Sequence, residues 1–144
     1  MDKYKDYEEK LRNEQKKNEK YMDIFEKWLK EKGLSPKTIR SHLNNVDTYL
    51  DYYLNYYEIN EMPQGCYMIN GYLGDFFIRK CMWSTAYTTK QTASSIKKFY
   101  GCMNELGYVS KDDYNFICKT IKDNMDNWIE EVEEYNSVDF DDYF

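Results

Sequence analysis

The sequence predicts an all-α fold, a bundle of four to five helices. Two observations carry this. Structure breakers are scarce, with 2 Pro and 6 Gly in 144 residues, against an abundance of Glu and Lys. Apolar residues also recur at i, i+3, i+4 and i+7 along several stretches, and none shows the period-two alternation of a strand.

Residues 2–31 read as the first helix. Its first half is a charge run in which Tyr4, Tyr7 and Leu11 are the apolar hooks, so an arm frayed over 1–20 is expected. Its second half carries Tyr21, Ile24, Phe25, Trp28 and Leu29 on one face. Gly33 stands where a C-cap belongs. Ser35 then caps a second helix with Pro36 at its first position. The stripe of that helix is Ile39, Leu43, Val46, Leu50, Tyr53, Leu54 and Tyr57. "EINEMPQG" breaks the pattern through Pro63 and Gly65. A third helix is expected over 68–82, weakened by Gly71 and Gly74. "STAYTTK" reads as a turn. A fourth helix follows to about Glu105 with Ala93, Ile96, Phe99, Tyr100 and Met103 aligned, and Gly107 stops it. Ser110 with Asp113 signals the start of the last helix, striped by Tyr114, Ile117, Cys118, Ile121, Met125, Trp128, Ile129 and Val132. A loose acidic tail, 137–144, is expected to close the chain, leaving 21–136 as the domain proper.

Composition excludes several function classes. One domain is expected at this length. The core is to be built largely from aromatics: 16 Tyr, 7 Phe and 3 Trp. Cys66, Cys81, Cys102 and Cys118 form no CxxC pair and the single histidine, His42, is remote, so neither metal nor cofactor is expected. The charged start resembles neither a signal nor a transit peptide, and no apolar run nears the ~20 residues needed to span a bilayer. Reduced, buried thiols, a cytoplasmic location and no membrane partner are the expectations.

The net charge of −6 hides a division. Residues 110–144 hold three lysines against eleven acids, whereas 1–109 hold 17 basic and 15 acidic residues. Two windows contain no Asp or Glu: 33–46, with Lys37, Arg40 and His42, and 76–104, with Arg79, Lys80, Lys90, Lys97 and Lys98. At 100° per residue Lys90, Ser94 and Lys97 share a face of the fourth helix opposite its apolar stripe. Lys37, Ser41, Asn44 and Thr48 do the same on the second helix. Cations neutralise phosphates, and Ser, Thr and Asn donate to phosphate oxygens or base edges. The competing reading of both faces is a solvated bundle surface.

The stretch "FEKWLKEKGLSPKTIRSHLNNVDTYLDYYL" resembles the opening of the SAM-like core-binding domain of tyrosine recombinases and phage integrases. An aromatic and leucine helix, a G-L-S-x-x-T turn and a helix ending in aliphatics are shared. "TTKQTASSIKKFYGCMNELGYVSKDDYNFI" is similar to that domain's final helices, and the likeness covers roughly 25–117. The resemblance implies a helical clamp on one face of double-stranded DNA. Carried over by position, it implies contacts from Lys37, Thr38, Arg40 and Ser41, and from Lys90, Ser94, Lys97 and Lys98. Asn44, Arg79 and Lys80 join them as candidates from the acid-free windows and the exposed face.

The catalytic part of that family needs two arginines, a lysine, histidines and a tyrosine nucleophile in a domain of their own. Here there is one histidine, the arginines are Arg12, Arg40 and Arg79, and no segment would form strands. A nucleophile without an electrostatic clamp for the phosphate is inert. Adjacent carboxylates such as Asp112/Asp113 and Glu133/Glu134 diverge by about 100° on a helix and share no substrate. The expectation is therefore a non-catalytic DNA-binding module, accessory or regulatory in recombination. The alternative is a protein-interaction module that has lost DNA and binds a partner through its acidic C-terminal helix, with Trp128, Tyr135, Tyr143 and Phe144.

Overall fold

The first helix, α1, spans Lys3–Glu31 and ends in a Schellman turn: Gly33 N–H donates to Lys30 O and Leu34 N–H to Leu29 O. Gly33 takes φ +83°, a conformation that side-chain-bearing residues resist. In a computed structural model that describes residues 2–141, with side chains through residue 137, every regular element is helical. The remaining helices are α2 (Pro36–Asp47, continued without a break as a π-helical stretch, Thr48–Tyr53), α3 (Ile69–Gly71, a π turn at Tyr72–Phe76, then Phe77–Lys80), α4 (Ala86–Glu105) and α5 (Lys111–Asp141). A 3-10 helix, Met62–Tyr67, joins α2 to α3. The all-α bundle expected from the sequence is what forms.

The N-terminal arm is the helix expected but is anchored rather than frayed, and three other local expectations need correction. The N-terminal arm is helical from Lys3, and Glu14 and Asn18 are buried on it. Asn18 Nδ2 donates to Asp51 Oδ1 at 2.7 Å, so a tertiary partner, not an apolar stripe, holds the arm to the end of α2. "EINEMPQG" is not simply a break, since Pro63 and Gly65 lie inside the 3-10 helix, where Glu61 and Gln64 cap each other. "STAYTTK" is a turn only to Thr85. Thr85 and Thr88 exchange side-chain-to-backbone bonds at 3.0 and 2.9 Å, a reciprocal cap that starts α4 at Ala86. The tail is no loose end at its start, because α5 runs through Ser137 to Asp141; Tyr143 and Phe144 lie outside the described residues.

The core is aromatic, as composition implied. Phe25, Leu29, Val46, Tyr49, Leu50, Ile96, Phe99, Tyr100, Met103 and Trp128 are fully buried. Phe25 meets Phe99 edge-on at 5.3 Å, and the two π turns face each other through Tyr53 and Tyr72, 4.8 Å apart. A π turn carries more residues per revolution than an α turn. It thereby lets Tyr49, Leu50, Tyr53 and Leu54 all point inward or along the seam. Two buried hydroxyls then secure the 3-10 helix: Tyr49 donates to Gly65 O at 2.6 Å and Tyr100 to Met62 O at 2.7 Å. α5 lies antiparallel along α4, with Tyr114 against Gly101 and Asn136 Nδ2 bonded to Ser84 O.

Candidate nucleic-acid interface

α2 and α4 lie side by side because a polar clasp joins them within an otherwise apolar contact. Ser95 Oγ on α4 sends its proton to Gln91 O (3.1 Å). The same oxygen accepts from Asn45 Nδ2–H at 3.0 Å and is hydrogen-bonded to His42 Nδ1 at 2.7 Å. Burial, with the Lys98 ammonium nearby, holds His42 below the ordinary histidine range, so it is neutral at pH 7. His42 faces Ser95 and Lys98, and Thr48 faces Thr92 across a cleft, so the two helices run antiparallel.

The outward faces of this pair carry most of the candidate residues. Lys37, Arg40, Ser41 and Asn44 on α2 are exposed, as are Lys90, Ser94, Lys97 and Lys98 on α4. Thr38 is exposed but committed: its N–H donates to Ser35 Oγ at 3.3 Å, and its hydroxyl oxygen accepts from the Ser35 hydroxyl. Among the described residues the ion pairs are Lys17–Glu14, Lys30–Glu26, Arg79–Asp75 and Lys119–Asp123. None of Lys37, Arg40, Lys90, Lys97 and Lys98 is held by a described carboxylate. Five cations without a described ionic partner thus stand on two adjacent helices.

Arg79 and Lys80 are brought together with each other but not with that surface. Arg79 is bidentate to Asp75, Nε at 2.8 Å and Nη2 at 2.9 Å, and borders a cleft with Tyr135 and Asn136 of α5. Lys80 Nζ stands 5.8 Å from the centre of the Tyr56 ring. Asn44 sits on a boundary. On its α1 side opens a groove lined by Glu19, Asp23, Glu26 and Asp47, an acidic flank that helix phase alone does not reveal.

Sequence reasoning missed the clasp, and also Gln91, Tyr87 and Trp83. Gln91 Nε2 donates to the exposed Tyr87 hydroxyl at 2.8 Å, one turn outward from Ser95. The available signal was the helix phase of Gln91 and Ser95, which lies between the buried stripe and Lys98. Among the described residues no helix is long and apolar enough to cross a membrane. The acids of α5 are partly occupied locally. Asp112 and Asp113 sit in its first turn, where the helix dipole favours them, and Tyr67 donates its hydroxyl to Asp113. No protein-family model, curated protein or solved structure matches this chain.

Proposed function

We propose that the paired α2 and α4 faces bind double-stranded DNA through its phosphates, as a non-catalytic module of the integrase core-binding type. One observation carries the reading: two clasped helices present Lys37, Arg40, Lys90, Lys97 and Lys98 together, none paired with a described acid. Ser41, Ser94 and Asn44 lie among them as short neutral donors suited to phosphate oxygens and base edges. Contact with about four phosphates gives a slope of log affinity on log salt near −3.6, because each neutralised phosphate releases about 0.9 counterion.

The test is fluorescence anisotropy with a labelled mixed-sequence duplex of about 25 base pairs, at low and near-physiological salt. Lys90→Glu with Lys97→Glu should abolish measurable binding at the higher salt, and at low salt reduce the slope by about 1.8. Unchanged affinity in the double variant would remove the reading. Retention of a co-purifying protein by that variant, lost on deletion after Glu130, would favour the acidic helix as a partner surface instead.

A further inference from the structure

A cleft of about 140 Å3 opens where α2, α3 and the turn into α4 meet, at the end of the cationic surface. One wall is polar: Asn44, Asn45 and Thr48 from α2, with Thr92 from α4. The other is aromatic, the rings of Tyr72, Phe77 and Trp83. Tyr72 and Phe77 lie 5.5 Å apart, and Trp83 meets Phe77 edge-on at 6.4 Å. No described carboxylate lines the cleft.

Trp83 differs from the other two tryptophans. Trp28 and Trp128 donate their indole N–H to Glu105 and Asn70, whereas the Trp83 N–H has no partner among the described residues. It is 55% exposed, beside a Met82 that is 100% exposed. Exposure alone is common on this chain, and what sets Trp83 apart is that its ring lines a cleft with its N–H unpartnered among the described residues. The Trp83 backbone is nevertheless fixed, because the Thr88 hydroxyl of the α4 cap donates to its carbonyl at 2.8 Å. An exposed aromatic face at the end of a cationic surface is where an unstacked base can lie beside a phosphate track.

We infer that this cleft takes an unpaired nucleobase, stacked on Trp83 with its polar edge towards Asn44, Asn45 and Thr48. The inference rests on the reading of α2 and α4 as a DNA surface, and deepens it: the preferred ligand is DNA with a single-stranded or extrahelical base. Electrostatics alone would favour the duplex, whose charge density is higher. A preference for unpaired DNA therefore requires stacking.

The experiment compares three labelled probes at one salt concentration: a uniform 25-base-pair duplex, the same duplex with one extrahelical base, and the 25-nucleotide single strand. The wild-type protein should bind the second and third roughly tenfold more tightly than the first, since stacking one base contributes on that order. Trp83→Ala should bring the duplex with the extrahelical base to the uniform-duplex value and the single strand below it, leave uniform-duplex binding within about twofold and keep the far-ultraviolet spectrum of the fold. Trp83→Phe, which retains a ring, should restore much of the preference. Equal wild-type affinities, or a preference that survives Trp83→Ala, would overturn the inference while the duplex reading stands. Absence of binding to every probe would remove both.

Discussion

Replacing Gly65 by alanine tests whether the 3-10 helix is the clamp that spaces α2 and α4. Tyr49 of the α2 extension and Tyr100 of α4 both reach this segment, donating to Gly65 O and Met62 O, and both rings are buried. Gly65 is not in the positive-φ region, so its backbone accepts alanine and the cost is steric. The added Cβ would overlap the Tyr100 hydroxyl and lie 3.1 Å from Tyr100 Cζ and Tyr49 Cε2. Overpacking of this kind costs about 1–3 kcal/mol. Pushing the hydroxyl off Met62 O leaves a buried carbonyl unsatisfied, for about 1 kcal/mol or more. A loss of about 3 kcal/mol follows, on the order of a 10 °C fall in Tm for a chain of this size. Gly71→Ala is the control. There the near atom is the Tyr53 hydroxyl at 2.5 Å, the tip of a half-buried side chain that can swing aside, and helix propensity favours alanine by up to ~1 kcal/mol. Tyr100→Phe frees the space that the new methyl needs, so the two changes should couple by about 1–2 kcal/mol in a double-mutant cycle. Urea unfolding followed by circular dichroism reads the wild type and the four variants. A Gly65→Ala cost below about 0.5 kcal/mol, or strict additivity with Tyr100→Phe, would refute the clamp.

The remaining expectations concern charge. Burial, with Asp47 and Glu19 close by, pushes Asp51 up to about 6 against the opposing pull of the Asn18 hydrogen bond. A carboxyl raised on folding contributes stability that is full below about pH 4 and is lost as pH rises through 6. Asp51→Asn keeps an acceptor for Asn18 and should stabilise the protein at pH 7 by about 1–2 kcal/mol, the side chain being only half-buried. It should also flatten the stability profile between pH 4 and 6; a variant less stable than wild type at pH 7 would contradict this assignment. Arg79→Gln should leave duplex affinity within about twofold, because Asp75 already holds that guanidinium, and a larger loss would return Arg79 to the interface.

Much of the fold was legible because its signals are local. Gly33, Ser35 and Pro36 define the turn into α2 through backbone chemistry that needs no tertiary partner. The phase of α4 also held, with Ala93, Ile96, Phe99, Tyr100 and Met103 buried and Lys90, Ser94 and Lys97 exposed. What was not legible depends on partners distant in sequence. Glu14 and Asn18 read as part of a solvated charge run, and only the docking of α1 on Asp51 buries them. Thr85 and Thr88 read as a turn because paired threonine caps look like any hydroxyl cluster until their reciprocal bonds are seen. The π turns escape a 3.6-residue template, since an extra residue per turn shows only in which rings meet.

The same division governs the candidate site. Each helix face could be read alone, but the clasp at Ser95 that makes two faces one surface spans about fifty residues of sequence. Its electrical character also depends on tertiary placement. At physiological ionic strength exposed charges act over about 8 Å, so the net charge of −6 says little about the field at Lys97. Nearby charges decide it, and they are unevenly arranged. Glu14 and Asp75 are each held by a basic partner, and Asp113 accepts from Tyr67, whereas Glu19, Asp23, Glu26 and Asp47 line a groove on the α1 side of Asn44. A polyanion approaching from that side meets like charge first. One approaching along α4 meets Lys90, Lys97 and Lys98 with no described carboxylate pairing them. The surface is thus polarised, and a duplex laid on it would be turned towards the α4 edge.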